Sequence, residues 1–308
     1  MPAIITHHIF GEDVVASLPD GLVDGEEELL AFLLGNQGPD PMFCRWRAPL
    51  EVGATVRQLA HDMHEGRVTQ AFLAMRMGVG LLPAEDARVG RAFALGFLGH
   101  YALDRTAHPF VYAQQRDLAL ADPSLDACQT ELHAIIESDI DSWILWEKRH
   151  ATVATRPAHE NLMCTERITR VAGALLSRVA WVTYGLSVGP LQYGGAVADY
   201  AWCYRAIDPA EHPRSRSLAV AERALRGVSY AQAAAHYVRE SDECPAANLE
   251  RHPWADPATG EMCSDSFADR YDQATMYYPA LAEAFVRGDE EGLGELVGGI
   301  NYNGRPQD

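Results

Sequence analysis

The sequence predicts an all-α fold, a multi-helix bundle with a multinuclear metal site in its core, formed as a single domain over residues 1–308. Three observations point there. Apolar residues recur at helical spacing through most of the chain, alternating strand patterns are scarce, and histidines and acids recur four residues apart. His100, Asp104 and His108 form one such stripe, and His133 with Glu137 forms a second. Side chains four apart lie nearly above one another on a helix. Packed helices that present imidazoles and carboxylates in this way can hold metal ions inside a bundle.

Each element has its own signals. Glu26 to Leu34 reads as a short amphipathic helix, its three leading glutamates suited to the positive end of the helix dipole. Gly35 and the turn-rich Gly-Asn-Gln-Gly-Pro-Asp-Pro stop it. A long helix is expected from Leu50 to Met77, with Val56, Leu59, Met63, Val68, Phe72 and Met75 on its apolar face. A second runs from Ala84 to His108, where Pro109 marks the stop. A third covers Leu125 to Arg149, and a fourth, rich in Ala, Leu and Val, covers Glu160 to Tyr184. Shorter helices are expected at Ala196–Ala206, Ser217–Arg226 and Asp269–Arg287. Asp242 to Ser266 is a polar loop too long for a mere connector.

Composition limits the function. The formal charge is -18, and no cluster of Lys and Arg interrupts it, so a nucleic-acid partner is disfavoured. An anionic substrate remains compatible, because bound divalent ions would dominate the field within a pocket. The six cysteines are scattered without a Cys-x-x-Cys pair, a pattern of reduced thiols rather than a zinc ribbon or disulfide framework. The N-terminus shows neither a basic leader nor an apolar run of signal length, and no window reaches a membrane span, so a cytoplasmic chain is expected. Gly185-Leu-Ser187-Val-Gly189 fits the serine-hydrolase elbow only formally: a helical pattern precedes it and Pro190 follows, which suits a helix-terminating loop.

The candidate ligands extend beyond the two stripes. His7 and His8 stand near the N-terminus, Asp40 in the Gly-Pro-Asp turn, and His61 and His64 one turn apart on the second helix. An i,i+4 Asp–His contact stabilises a helix without metal. That explains one such pair; three His/acid sets in an apolar bundle call for ions. Mixed His, Asp and Glu donors favour zinc, with iron or manganese as alternatives.

In this combination the chain resembles the zinc-dependent phospholipase C family, whose all-α fold is shared with the zinc-dependent single-strand nucleases. The matching motifs stand in the family's order: Thr6-His7, Gly38-Pro39-Asp40, a histidine on the next helix, His100-x-x-x-Asp104-x-x-x-His108-Pro109, and His133-x-x-x-Glu137. They span residues 6 to 137, and a weaker echo covers Asn248 to Trp254 with Ser266-Phe267. The resemblance implies two or three zinc ions per chain. Asp40, His64, His100 and Asp104 would take one, and His108, His133 and Glu137 a second. His7 with a bridging Asp104 would take the third. His64 is preferred to His61 because its spacing to Phe72 is closer to the family's pattern.

Two departures bear on the substrate and the third ion. Secreted members complete the third site with the amino group and carbonyl of an N-terminal Trp. This chain offers instead Pro2, after removal of Met1, or His8, or leaves that site weak. The interval from Asp104 to His108 is also shorter than in the secreted phospholipases, which opens a soluble phosphoester as an alternative to a phospholipid headgroup. The implied chemistry is phosphoester hydrolysis by zinc-bound hydroxide, with Asp40 orienting or deprotonating the attacking water and Asp104 holding two metals together. Rival readings are a zinc nuclease, a phosphomonoesterase and a non-catalytic metal-stabilised bundle.

Overall fold

A computed structural model describes residues 4–307. The first helix, α1 (Ile4–Val14), is one that the sequence pattern hides. Ile4, Ile5, Thr6, His7, Ile9 and Phe10 are all buried, so no solvent-facing stripe betrays the helical period. Its N-terminal amides are satisfied from far along the chain: Asp141 accepts from the backbone N–H of Ile5 (3.0 Å) and Thr6 (2.8 Å) and from the Thr6 hydroxyl (2.6 Å). A distant carboxylate thus does the work of a local cap.

Next come α2 (Glu26–Gly35), a 3₁₀ segment Asp40–Cys44, α3 (Leu50–Glu65) and α4 (Val68–Leu81). The helix expected from Leu50 to Met77 is therefore two. The break is Gly66-Arg67, where Arg67 takes a left-handed conformation (φ 59°) while its guanidinium donates to the Thr183 carbonyl at 2.6 Å. That tie offsets the cost of a non-glycine residue at positive φ.

The expectation that Pro109 ends its helix is also corrected: α5 runs 38 residues, Ala84–Ala121, with Pro109 inside it. Proline removes the amide that would have bonded the Arg105 carbonyl. The C-terminal segment occupies the gap. At Gly304 a Cβ would lie 2.4 Å from Pro109 Cγ and 2.8 Å from the Arg105 carbonyl oxygen, so only glycine fits this approach.

After a 3₁₀ turn (Pro123–Cys128) come α6 (Gln129–Arg149), a further 3₁₀ turn (Ala158–Leu162) and α7 (Glu166–Val179). The last runs into a π turn, Ala180–Tyr184, ended by Gly185 at φ 70°. The Gly-x-Ser-x-Gly stretch thus follows a helix end, with no strand before it. The remaining helices are α8 (Gln192–Ile207), α9 (Pro213–Arg226), α10 (Tyr230–Ala233), α11 (Phe267–Arg287) and α12 (Glu290–Val297). Within the loop expected from Asp242 to Ser266, Trp254–Ala255 pairs antiparallel with Met262–Cys263. The described residues are all-α apart from that ribbon and one isolated bridge, Ile300 with Pro306.

One hydrophobic core runs from Ile4 to Tyr302, and α5 crosses its centre. Glycines bring α2 against it at backbone distance: a Cβ on Gly96 would lie 1.9 Å from the Phe32 carbonyl oxygen, and one on Gly35 2.2 Å from that of Phe93. All six cysteines are unbridged. No helix among the described residues is long and apolar enough to cross a membrane.

Candidate metal centre

The close contact of α2 and α5 sets the geometry of the site. It carries Asn36 to Asp40 across the His100 ring, where Gly38 (φ 54°) lies so near that a Cβ would sit 2.3 Å from His100 Cδ2. The Asn36 carbonyl accepts from His100 Nδ1 at 3.1 Å, and Tyr193 Oη donates to the Gly38 carbonyl at 3.1 Å. Asp40, next in the turn, is thereby held beside the His100–Asp104–His108 stripe of α5. From α3, His64 joins the same cluster; α1 brings His7, and α6 brings His133 and Glu137.

The eight candidate ligands thus converge, and three groups have ligand atoms within 4.8 Å of one another: His7, His100 and Asp104; Asp40, His64 and His100; His108, His133 and Glu137. Asp104 divides its oxygens. Oδ1 lies 3.1 Å from His7 Nε2, while Oδ2 lies 3.2 Å from His100 Nε2 and 3.7 Å from His64 Nε2. Asp40 Oδ1 is 3.3 Å from His64 Nε2 and 3.8 Å from His100 Nε2. Glu137 Oε1 is 3.1 Å from His133 Nε2 and 3.6 Å from His108 Nε2. The structure therefore groups His7 with His100 as well as Asp104, and the two imidazoles stack with centroids 4.1 Å apart. His61 is in none of the three groups; its ring packs edge-on against Phe43 at 4.8 Å. His8 faces Glu12 at 3.4 Å. Pro2 lies outside the described residues.

Four of the five histidines have Nδ1 committed elsewhere. His100 donates to Asn36 O, His64 to Ala60 O (2.7 Å), His108 to Tyr302 O (2.8 Å) and His133 to Gln115 Oε1 (3.1 Å). These acceptors fix the proton on Nδ1 and turn Nε2 towards the carboxylates, the orientation that outer partners impose on metal-ligating histidines. In the neutral ring Nε2 is a bare lone pair, and a lone pair facing a carboxylate oxygen needs a proton or a metal ion between them. His100 Nε2 is fully buried and finds no hydrogen-bond partner despite its nearness to Asp104.

The protein supplies its own contrast. Buried His236 is 2.8 Å from Asp208 and 3.0 Å from Asp141, ordinary charge-assisted hydrogen bonds. Within the cluster the N···O separations reach 3.6–3.8 Å, too long for hydrogen bonds. Donors about 2.0–2.1 Å from a tetrahedral zinc stand roughly 3.3 Å from one another. The spacing and donor chemistry fit divalent ions.

Without an ion, neighbouring imidazoles keep the carboxylates ionised. Burial opposes ionisation of Asp104, yet the nearby His100 and His108 hold its pKa well below 3.8. Asp40 is lowered against burial by His100 and His64, and Glu137 against burial by His133 and His108. His108 is pushed up to about 9, its neighbours Asp104 and Glu137 outweighing burial. The three carboxylates stay anionic, as ligands must, and an ion bound beside Glu137 would displace the proton that His108 holds.

The ligands form the floor of an open cleft of about 760 Å³. His100 is fully enclosed behind it, and His133 is the most exposed of the eight, at 12% of its side chain. The outer acceptors Asn36, Ala60, Gln115 and Tyr302 escaped sequence reading. Gln115 had a signal, seven residues after His108 on one helix face; the other three act through main-chain carbonyls, which carry none. Comparisons with protein-family models, curated proteins and solved structures found no match to this chain.

Proposed function

We propose that this chain is a zinc-dependent phosphoester hydrolase with phospholipase C-like specificity for diesters. The observation that carries the reading is the convergence of five imidazoles and three carboxylates at an open cleft, four of the imidazoles on its floor and His100 enclosed behind it, with Nδ1 of four imidazoles already engaged. Structural zinc sites are closed and dominated by Cys and His; this donor set includes three carboxylates and borders an open cleft. His7, His100 and Asp104, then Asp40 and His64, then His108, His133 and Glu137 would hold the ions. Bound there, divalent ions would supply Lewis acidity towards a phosphoryl oxygen and make water nucleophilic near neutral pH.

The chain's own residues do the rest. Two divalent ions bring four positive charges against the three carboxylates of Asp40, Asp104 and Glu137. The floor becomes net positive within a protein of formal charge -18, and this locates phosphate binding there. Asp104, with oxygens directed to different histidines, would serve more than one ion. Asp40, anionic and open to the cleft, accepts a proton from the attacking water.

The test combines metal counting with turnover. Protein purified without added metal or a histidine tag is expected to contain two or three zinc ions and to cleave a chromogenic phosphate diester in preference to the monoester. Asp104→Ala is expected to lose at least one ion and to drop turnover by about 10³-fold or more. A folded Asp104→Ala protein with full zinc content and undiminished turnover would refute the assignment, and a preference for monoesters would remove the phospholipase C-like specificity.

A further inference from the structure

Two arginines line the cleft, and they differ in a way that bears on the substrate. Arg226 is neutralised by Glu222 at 3.2 Å. Arg57 makes no ion pair among the described residues. Its one hydrogen bond, from Nη1 to the Arg45 carbonyl at 2.9 Å, fixes the guanidinium without cancelling its charge. Gly53, one turn earlier on α3, makes room for this tie: a Cβ there would lie 2.5 Å from the Arg45 oxygen and 3.1 Å from Arg57 Nη1. Arg45 is itself anchored by Asp199 at 2.6 Å. The result is a half-buried, pre-oriented cation on the cleft wall.

Arg57, His61 and His64 follow one face of α3 at i, i+4 and i+7, so Arg57 stands about 10 Å along the helix from the ligand His64. A protein with 43 acidic and 25 basic residues has ample carboxylate to pair such an arginine. Two glutamates of the same cleft are engaged elsewhere: Glu222 also accepts from Ser229 and Ala231, and Glu65 from Asn303. Guanidinium matches carboxylate and phosphate through parallel N–H donors.

We propose that the substrate carries a second anionic group, a carboxylate or a further phosphate, which Arg57 receives while the scissile phosphate lies on the ligand floor. The proposal rests on the phosphoester reading above. It excludes a simple cationic headgroup as the preferred leaving group, since a quaternary ammonium would be repelled at this wall.

Non-hydrolysable phosphonates test it by calorimetry on zinc-loaded protein. Plain alkylphosphonates are compared with ω-carboxy and ω-phosphono analogues whose linkers of about 4 to 8 carbons bracket the roughly 10 Å spanned by seven helical residues. At the best length the second anion is expected to tighten binding about 10-fold, the worth of one charge-assisted hydrogen bond at a partly wet site. The stronger of the two series identifies the carboxylate or the phosphate as the natural group. Arg57→Gln should erase the gain and leave plain alkylphosphonate affinity unchanged, with Arg57→Lys retaining part of it. Equal affinity of plain and dianionic ligands at every length, or a gain that survives Arg57→Gln, overturns the proposal alone. If no phosphonate binds the zinc-loaded chain, the phosphoester reading falls and this inference with it.

Discussion

His236 ligates nothing in the cluster, yet it helps fix the position of His7. Both its ring nitrogens face carboxylates, Nδ1 to Asp208 and Nε2 to Asp141, and Asp141 in turn caps α1 through Ile5 and Thr6. Burial disfavours the imidazolium, but Asp208 and Asp141 outweigh it and push its pKa up to about 10. A folded-state pKa above the unfolded value of 6.5 means that the stability contributed is complete below pH 6.5. It declines as pH rises towards 10 and is gone above it. His236→Leu leaves two buried carboxylates without their cation and should cost about 3–5 kcal/mol near pH 6. Denaturant titrations of both proteins at a series of pH values check this: the gap must narrow between pH 6.5 and 10, and a gap independent of pH would contradict it. Part of this arrangement was legible in sequence. Asp141 continues the His133–Glu137 stripe by one more turn, but its partners lie 135 residues earlier and 95 later, where spacing conveys nothing.

At the scale of elements, helical period located α6, α8, α9 and α11 because each has a polar and an apolar side, whereas α2, buried throughout Ala31–Gly35, is marked by its acidic first turn and the Gly/Pro stretch that stops it. It failed where that contrast is absent or where distant chain decides the outcome. The nearly all-buried α1 shows no stripe, the division of α3 from α4 depends on a tie to Thr183, and Pro109 is tolerated because Gly304 packs beside it. The glycines of α2 and α5 belong to the same category: composition shows them, but only the packed pair explains them. Gly96→Ala makes the point testable. Its Cβ would meet the Phe32 carbonyl oxygen at 1.9 Å, a backbone atom that cannot rotate away. Overpacking of this kind costs about 1–3 kcal/mol or more, and here it also moves the turn that holds Asp40 against His100. Lower thermal stability together with reduced zinc content is expected; unchanged zinc content would mean that the α2–α5 spacing does not set the site.

For the whole molecule, the ligands come from four helices and one turn, between His7 and Glu137, and the C-terminal segment adds the Tyr302 carbonyl beneath His108. Ions held there would cross-link elements that are far apart in sequence and neutralise three buried carboxylates. Without them Asp40, Asp104 and Glu137 remain charged inside a protein already at -18, and self-repulsion opposes compaction. An ion that binds only the folded chain stabilises it by about 4 kcal/mol when free metal exceeds Kd a thousandfold. At about 2 °C per kcal/mol for a chain this large, removal of two ions should lower Tm by roughly 15 °C. Chelator-treated protein, followed by calorimetry with and without restored zinc, measures the effect. Recovery should be stepwise with zinc added, and magnesium, which prefers all-oxygen shells, should restore little. The same experiment on His133→Ala separates the sites: the step owed to His108, His133 and Glu137 should vanish while that at Asp104 persists. A chain whose Tm ignores both chelator and zinc would reduce the cluster to buried polar pairs, held by its contacts of 3.1–3.3 Å alone.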